Sequence, residues 1–164
     1  MSLLRFASIL TLAFWVGGLA ALALVGAPTL FDVLEAGDPA AGRALAGRLF
    51  GAMFDRFQHL AWICGGLLAA LLILRTALGP RPRPFAIRLS LTLAMLAFAL
   101  VSGLVVAPRI EAIRRNTSGA VASLADDDAR KVALGRLHRL STGLAGLTIV
   151  AGVGLLWMEM KDPH

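Results

Sequence analysis

Residues 89–108, LSLTLAMLAFALVSGLVVAP, form an uninterrupted run without a charged side chain. A helix of about 20 apolar residues is long enough to cross the roughly 30 Å hydrocarbon core of a bilayer. Lipid offers the backbone no hydrogen-bond partners, so a segment in that environment must be helical. This stretch therefore predicts a membrane-spanning helix.

Three other segments have the same character. Residues 6–27, 57–74 and 140–158 are also free of charged side chains and are of similar length. Arg75 follows the second of these runs, and we expect its side chain to snorkel to the headgroups so that this span continues to residue 78. The sequence thus predicts an all-α integral membrane four-helix bundle with spans at about 6–27, 57–78, 89–108 and 138–158.

The composition supports a single membrane domain covering residues 1–164. Hydrophobic residues make up 58% of the chain and charged residues 16%, whereas soluble domains carry about 25% charged residues. One cysteine, Cys64, excludes a disulfide-stapled module. The net charge of +6 comes mainly from arginines that flank the apolar runs, where they would meet lipid phosphates. We expect the lipid bilayer as a partner and no nucleic acid.

The connections before spans 2 and 4 are predicted to be amphipathic helical extensions. In the first, Leu45, Leu49 and Met53 recur at helical spacing. Gly47 and Gly51 in the same stretch would admit a neighbouring helix. In the second connection three consecutive acids suit the start of a helix, where negative charge is favourable. They predict a helix cap rather than a metal site, because consecutive side chains on a helix point in different directions and cannot bind one ion. These acids are Asp126, Asp127 and Asp128.

The connection between spans 2 and 3 is basic and contains no acid. It carries Arg75, Arg81, Arg83 and Arg88, and prolines at positions 80, 82 and 84 interrupt any helix. Short basic loops mark the cytoplasmic side, so we predict a multi-pass protein of the bacterial inner membrane with both termini cytoplasmic. The opposite side carries ten of the sixteen Lys and Arg residues, mixed with acids.

An internal repeat is indicated by matched positions in the two halves. Ala27-Pro28 and Ala107-Pro108 end the first and third spans, and the interval between the two prolines equals the interval between Arg56 and Arg136. A histidine follows each proline, and the two proline-to-histidine spacings differ by a single position. The pattern predicts two tandem transmembrane hairpins, at residues 1–79 and 85–160.

His59 and His138 open spans 2 and 4 at similar depth, which would allow them to face each other. Ionisable residues at membrane depth are functional candidates, and imidazole binds metal ions and haem. The alternative is that each histidine sits at headgroup level and bonds to water or lipid. The predicted pocket contains His59, His138, Ser141, Thr142, Asp55, Arg56 and Arg136.

Several of these residues belong to short motifs. They are Leu49-Phe50 followed by Phe57 and His59, then Ala107-Pro108-Arg109-Ile110-Glu111, and finally Leu137-His138-Arg139-Leu140-Ser141. In this order they resemble the family of eukaryotic transmembrane protein 205, whose bacterial members form the domain of unknown function 4149 family. The fold is distantly similar to copper-resistance membrane proteins and to haem-containing protoporphyrinogen oxidases. The resemblance implies a four-helix membrane fold, and its eukaryotic members are associated with tolerance of platinum drugs.

Three functions remain open at this point. The first is a binding protein that uses His59 and His138 to hold haem b, a metal ion or a small redox ligand. The second is an accessory or scaffold subunit that packs against other membrane subunits or its own copies. The third is a small metal or cation transporter. No catalytic motif is present, so no catalytic residue is predicted and a non-enzymatic role is favoured.

Overall fold

The computed structural model describes residues 2–79, 84–117, 124–125 and 127–161. Within these ranges the chain is helical and contains no strand, which confirms the all-α prediction. Two short π-helical turns interrupt the α-helices, at Leu22–Gly26 and Ser102–Val106. The α-helices are α1 (Ser2–Ala21), α2 (Ala27–Glu35), α3 (Pro39–Leu78), α4 (Phe85–Val101), α5 (Ala107–Asn116) and α6 (Ala129–Lys161).

These α-helices form four long rods, because each π-turn joins two of them end to end. The rods are Leu3–Glu35, Pro39–Leu78, Phe85–Asn116 and Ala129–Lys161, and all four are long and apolar enough to cross a membrane. The prediction of a four-helix membrane bundle is therefore confirmed.

The rods pack as a ring in which α1 and α4 each contact both α3 and α6. Trp15, Leu68 and Met95 lie in the core, together with other buried side chains of all four rods. The outward faces remain apolar, with Ile63, Val150 and many similar side chains exposed. An apolar exterior is what a surface surrounded by lipid tails requires.

The first and third rods continue through their Ala-Pro motifs instead of ending there. Proline lacks an N–H, and its ring collides with the carbonyl four residues earlier in an α-helix. A π-turn precedes each motif, and the N–H groups of Ala27 and Ala107 bond to carbonyls five residues back, on Leu22 and Ser102. The wider turns let α2 and α5 extend both rods past the predicted span ends.

Both predicted extensions before spans 2 and 4 are present and capped. Asp38 Oδ1 accepts hydrogen bonds from the N–H groups of Ala40 and Ala41, and α3 then runs for 40 residues, or about 60 Å. Asp128 Oδ1 accepts from the Arg130 N–H at 2.8 Å at the start of α6, which bears out the predicted cap. Hydrogen bonds from Arg130 lower the pKa of Asp128. Asp126, Arg81, Arg83 and prolines 80 and 82 lie outside the described residues.

Candidate ligand-binding cavity

A cavity of about 800 Å³ lies between the four rods, at the end of the bundle that carries α2 and α5. Much of its wall is apolar, and Leu19, Phe50 and Phe54 are among the lining residues. Both π-turns border it, the first through Leu22 and the second through Gly103. Single-turn π-helices occur frequently at functional sites, which makes this cavity the leading candidate in the bundle.

Four of the predicted site residues line this cavity. Asp55 reaches it from α3, and His138, Ser141 and Thr142 reach it from one face of α6. Within the described part of the chain, none of these four side chains forms a hydrogen bond or an ion pair. Their polar atoms are therefore available to a bound molecule or to water.

The other three predicted site residues, His59, Arg56 and Arg136, lie outside the cavity lining. The His59 side chain is exposed, its Nδ1 donates to the Asp55 carbonyl at 2.9 Å, and its ring centroid lies 4.9 Å from that of Trp62. Thus the structure places the two histidines on different surfaces. The described residues contain no group of three or more His, Cys, Asp or Glu side chains that could hold a metal ion.

A one-residue difference in spacing explains why the two histidines differ. The π-turns start at Leu22 and Ser102, and the same interval along the chain matches His138 with Gln58 rather than His59. One residue along an α-helix is a rotation of about 100°, which carries His59 off the inward face. Gln58 takes that inward position and is only 4% exposed.

Arginines dominate the charge at the cavity. Arg114 donates a hydrogen bond to the Gly47 carbonyl at 2.8 Å. A Cβ atom added to Gly47 would lie 3.0 Å from a guanidinium nitrogen of Arg114, and one added to Gly51 would lie 3.1 Å from the other. The two glycines thus admit an arginine side chain rather than the helix backbone that their spacing predicted. Arg115 pairs with Glu111 at 2.8 Å, and Arg48 also reaches the lining.

A much smaller cavity of about 10 Å³ adjoins the large one and shares Leu19, Phe54 and Ala145 with it. Its wall carries buried polar side chains from three helices. They are Gln58 of α3, Ser102 at the start of the second π-turn and Thr148 of α6. Sequence reasoning did not select this group, because Ser102 and Thr148 each lie alone in an apolar stretch and Gln58 lies beside the more conspicuous His59.

Buried charges close the opposite end of the bundle. Glu159 of α6 binds Arg75 of α3 at 2.9 Å and Arg88 of α4 at 2.6 Å, and all three residues are buried. Arg5 of α1 donates to the Glu159 carbonyl at 2.5 Å. The prediction that Arg75 snorkels to the headgroups is wrong, because Glu159 offers a buried partner. Four rods therefore meet at one residue.

Residues 10–118 match the family described as "Domain of unknown function (DUF4149)". The match covers more than half of the chain and all or part of three rods, so the chain belongs to this family. No curated protein and no solved structure matches the chain. The finer similarity to transmembrane protein 205 stays a prediction.

Proposed function

We propose that this member of the DUF4149 family binds a small amphipathic molecule with an acidic group in the cavity of about 800 Å³. One observation carries the proposal: polar side chains that lack protein partners converge on an apolar chamber bordered by both π-turns. Ligand cavities have volumes of about 300–1,000 Å³ and combine apolar walls with a few placed polar groups. The proposal keeps the binding role of the first of the three functions that the sequence leaves open, but it names a different class of ligand and does not use His59.

The cavity lining favours a negative charge on the polar end of the ligand. The lining contains three arginines, Arg48, Arg114 and Arg115, but only two acids. These acids are Asp55 and Glu111, and Glu111 is already paired with Arg115. Guanidinium groups bind carboxylates and phosphates through two parallel hydrogen bonds. The Ser141 and Thr142 hydroxyls can add further donors on the opposite wall.

The outer surface of α3 favours access from the membrane. Leu45, Leu49 and Met53 are exposed and lie on the outward face of the helix that sends Arg48 and Asp55 into the cavity. An apolar outer face beside a polar inner face is the arrangement expected when a helix separates lipid from a chamber. A tilted 40-residue helix can keep this face in contact with lipid over much of its length.

A binding titration tests the proposal directly. The protein is placed in phosphatidylcholine nanodiscs, and dansyl-undecanoic acid is the fluorescent probe. We expect saturable binding above empty nanodiscs and weaker binding of the matching undecanol derivative, which lacks the acid. Binding no greater than in empty nanodiscs would overturn the proposal.

Two arginines of α3 provide a matched pair of variants. Arg48 lines the cavity, whereas Arg56 is exposed and lies outside the lining. Charge-assisted hydrogen bonds contribute about 1.5–3 kcal/mol, so Arg48→Gln should raise the Kd about tenfold or more. Arg56→Gln should leave it unchanged, and equal effects of both variants would indicate non-specific attraction to the surface.

The haem or metal version of this proposal rests on His138, whose side chain lines the cavity. An absorption spectrum and a metal analysis of the purified protein test it. A Soret band that disappears in His138→Ala would assign haem to the cavity. A colourless, metal-free protein that still binds the acidic probe would favour the amphipathic acid.

A further inference from the structure

We propose that a single water molecule is bound in the core of the bundle, held by Ser102, Gln58 and Thr148. This site is the cavity of about 10 Å³ that adjoins the cavity of about 800 Å³, which we call the ligand chamber. The proposal does not depend on what the ligand chamber binds. A volume of this size corresponds to about one water molecule, so larger ligands do not fit.

The Ser102 hydroxyl supplies the first observation. Ser102 is 4% exposed, and its Oγ has no hydrogen-bond partner among the described residues. Leaving a hydroxyl unpaired in an apolar interior costs free energy, and buried polar groups are therefore nearly always hydrogen-bonded. The small cavity whose wall Ser102 forms has room for such a partner.

The other two polar groups match what a water molecule offers. The Gln58 amide nitrogen donates to the Ala99 carbonyl at 3.2 Å, which leaves the Gln58 Oε1 atom as an acceptor. The Thr148 hydroxyl donates to the Leu144 carbonyl at 2.8 Å, which leaves its lone pairs as acceptors. One donor and two acceptors complement a water molecule, which accepts from Ser102 and donates to Gln58 and Thr148.

The location gives this water a structural role. Ser102 opens the second π-turn, and Gln58 binds the Ala99 carbonyl in the turn just before it. Irregular backbone within a membrane is tolerated where side chains or ordered water satisfy the freed polar groups. The water would join α4 to α3 and α6 directly beneath the ligand chamber.

A double-mutant cycle on Ser102→Ala and Thr148→Val tests the bridge. Unfolding is measured in mixed micelles of a mild detergent and sodium dodecyl sulfate by tryptophan fluorescence. Ser102 and Thr148 form no direct hydrogen bond with each other, and a water molecule bonded to both would couple them. We expect the effects on the unfolding equilibrium constant to be non-additive by at least about twofold. Additive effects would overturn the proposal.

Thr92 provides the matched control. Its hydroxyl is buried and donates to the carbonyl four residues earlier, as that of Thr148 does, but Thr92 does not line the small cavity. Thr92→Val combined with Ser102→Ala should give additive effects. Equal coupling in both cycles would mean a general perturbation of the bundle and would contradict the water bridge.

A structure of the unmodified protein tests the site even if a variant fails to fold. At a resolution that shows ordered waters, we expect density within hydrogen-bond distance of Ser102 Oγ, Gln58 Oε1 and Thr148 Oγ1. A dry cavity, or a Ser102 hydroxyl turned back onto its own helix, would overturn the proposal.

Discussion

Glu159 is a single carboxylate that two buried guanidinium groups share, from Arg75 and Arg88. Removing one member of a buried ion network leaves the opposite charges without compensation in a medium of low dielectric. We therefore expect Glu159→Gln to lower the free energy of unfolding by about 3–5 kcal/mol. Detergent-induced unfolding followed by circular dichroism measures this change.

An exposed ion pair provides the control for Glu159. Glu111 and Arg115 lie one helical turn apart on α5, and their side chains are at least half exposed. Solvent screens such a pair, so Glu111→Gln should cost less than about 1 kcal/mol. A Glu159→Gln variant no less stable than Glu111→Gln would show that the buried network does not stabilise the fold.

His138 and His59 are expected to differ in ligand binding because they lie on different surfaces. His138 lines the large cavity, whereas His59 bonds to its own helix and packs beside Trp62. His138→Ala should raise the Kd for dansyl-undecanoic acid by up to about tenfold, the loss of one hydrogen bond. His59→Ala should leave it unchanged, and the reverse result would place the binding site elsewhere.

The candidate site could be predicted only in part, and Gln58 shows why. Residue type made His59 the obvious candidate, but the direction of a side chain depends on helix phase, which shifts by about 100° per residue. The spacing from proline to histidine is one position longer in the first half than in the second, and this difference indicates that the two histidines point in different directions. Glu159 was missed for a different reason, since its partners lie on other rods, far away along the chain.

At the level of helices, hydropathy was enough to locate the four rods, and the aspartates predicted the start of α6. It was not enough to find the π-turns. The Ala-Pro motif predicts the end of a helix, because proline removes a backbone hydrogen bond and its ring crowds the preceding turn. The rods continue because a π-turn shifts the bond by one residue, a backbone adjustment that residue propensities do not show.

The cap of α6 makes a prediction about pH. Hydrogen bonds from Arg130 lower the pKa of Asp128 in the folded protein. A carboxyl group with a lowered folded pKa stabilises at pH values above its unfolded pKa, and this contribution is lost as the pH falls through the folded value. Amide exchange in residues 129–132 should therefore quicken only under strongly acidic conditions, after correction for the intrinsic rate.

Asp128→Ala should produce the same fraying of α6 at neutral pH, because the side-chain acceptor at the helix start is removed. Asp38→Ala is the matched control, since Asp38 caps α3 instead. Exchange near residue 130 that does not change in Asp128→Ala would contradict the role of this cap.

The glycines of α6 divide into packed and open positions. A Cβ on Gly152 would collide with Val16 Cγ2 and would lie 3.1 Å from Met95 Cε, whereas the same atom on Gly146 would meet nothing within 4 Å. Gly152→Ala should thus destabilise the bundle by about 1–3 kcal/mol through overpacking. Gly146→Ala should cause no loss, and equal stabilities in detergent unfolding would contradict this packing of α6 against α1 and α4.

The whole molecule has one closed end and one open end. The carboxylate of Glu159 ties the rods together at the first, and the ligand chamber separates them at the second. Arg114 adds a cross-link at the open end, from α5 to α3. The bundle is thus held by a buried charge network at one end and by a single arginine cross-link beside the large cavity at the other.

The orientation of these two ends in the membrane is our last prediction. Helix α3 ends and α4 begins at the closed end, and the sequence that joins them is basic, so the positive-inside rule predicts that this end faces the cytoplasm. We replace the buried Cys64 with alanine and introduce Gly37→Cys or Pro84→Cys, at exposed positions in the two opposite connections. A membrane-impermeant maleimide should label position 37 in intact cells and position 84 only after permeabilisation. The reverse pattern would turn the large cavity toward the cytoplasm, and a ligand of the proposed kind would then enter it from the inner leaflet.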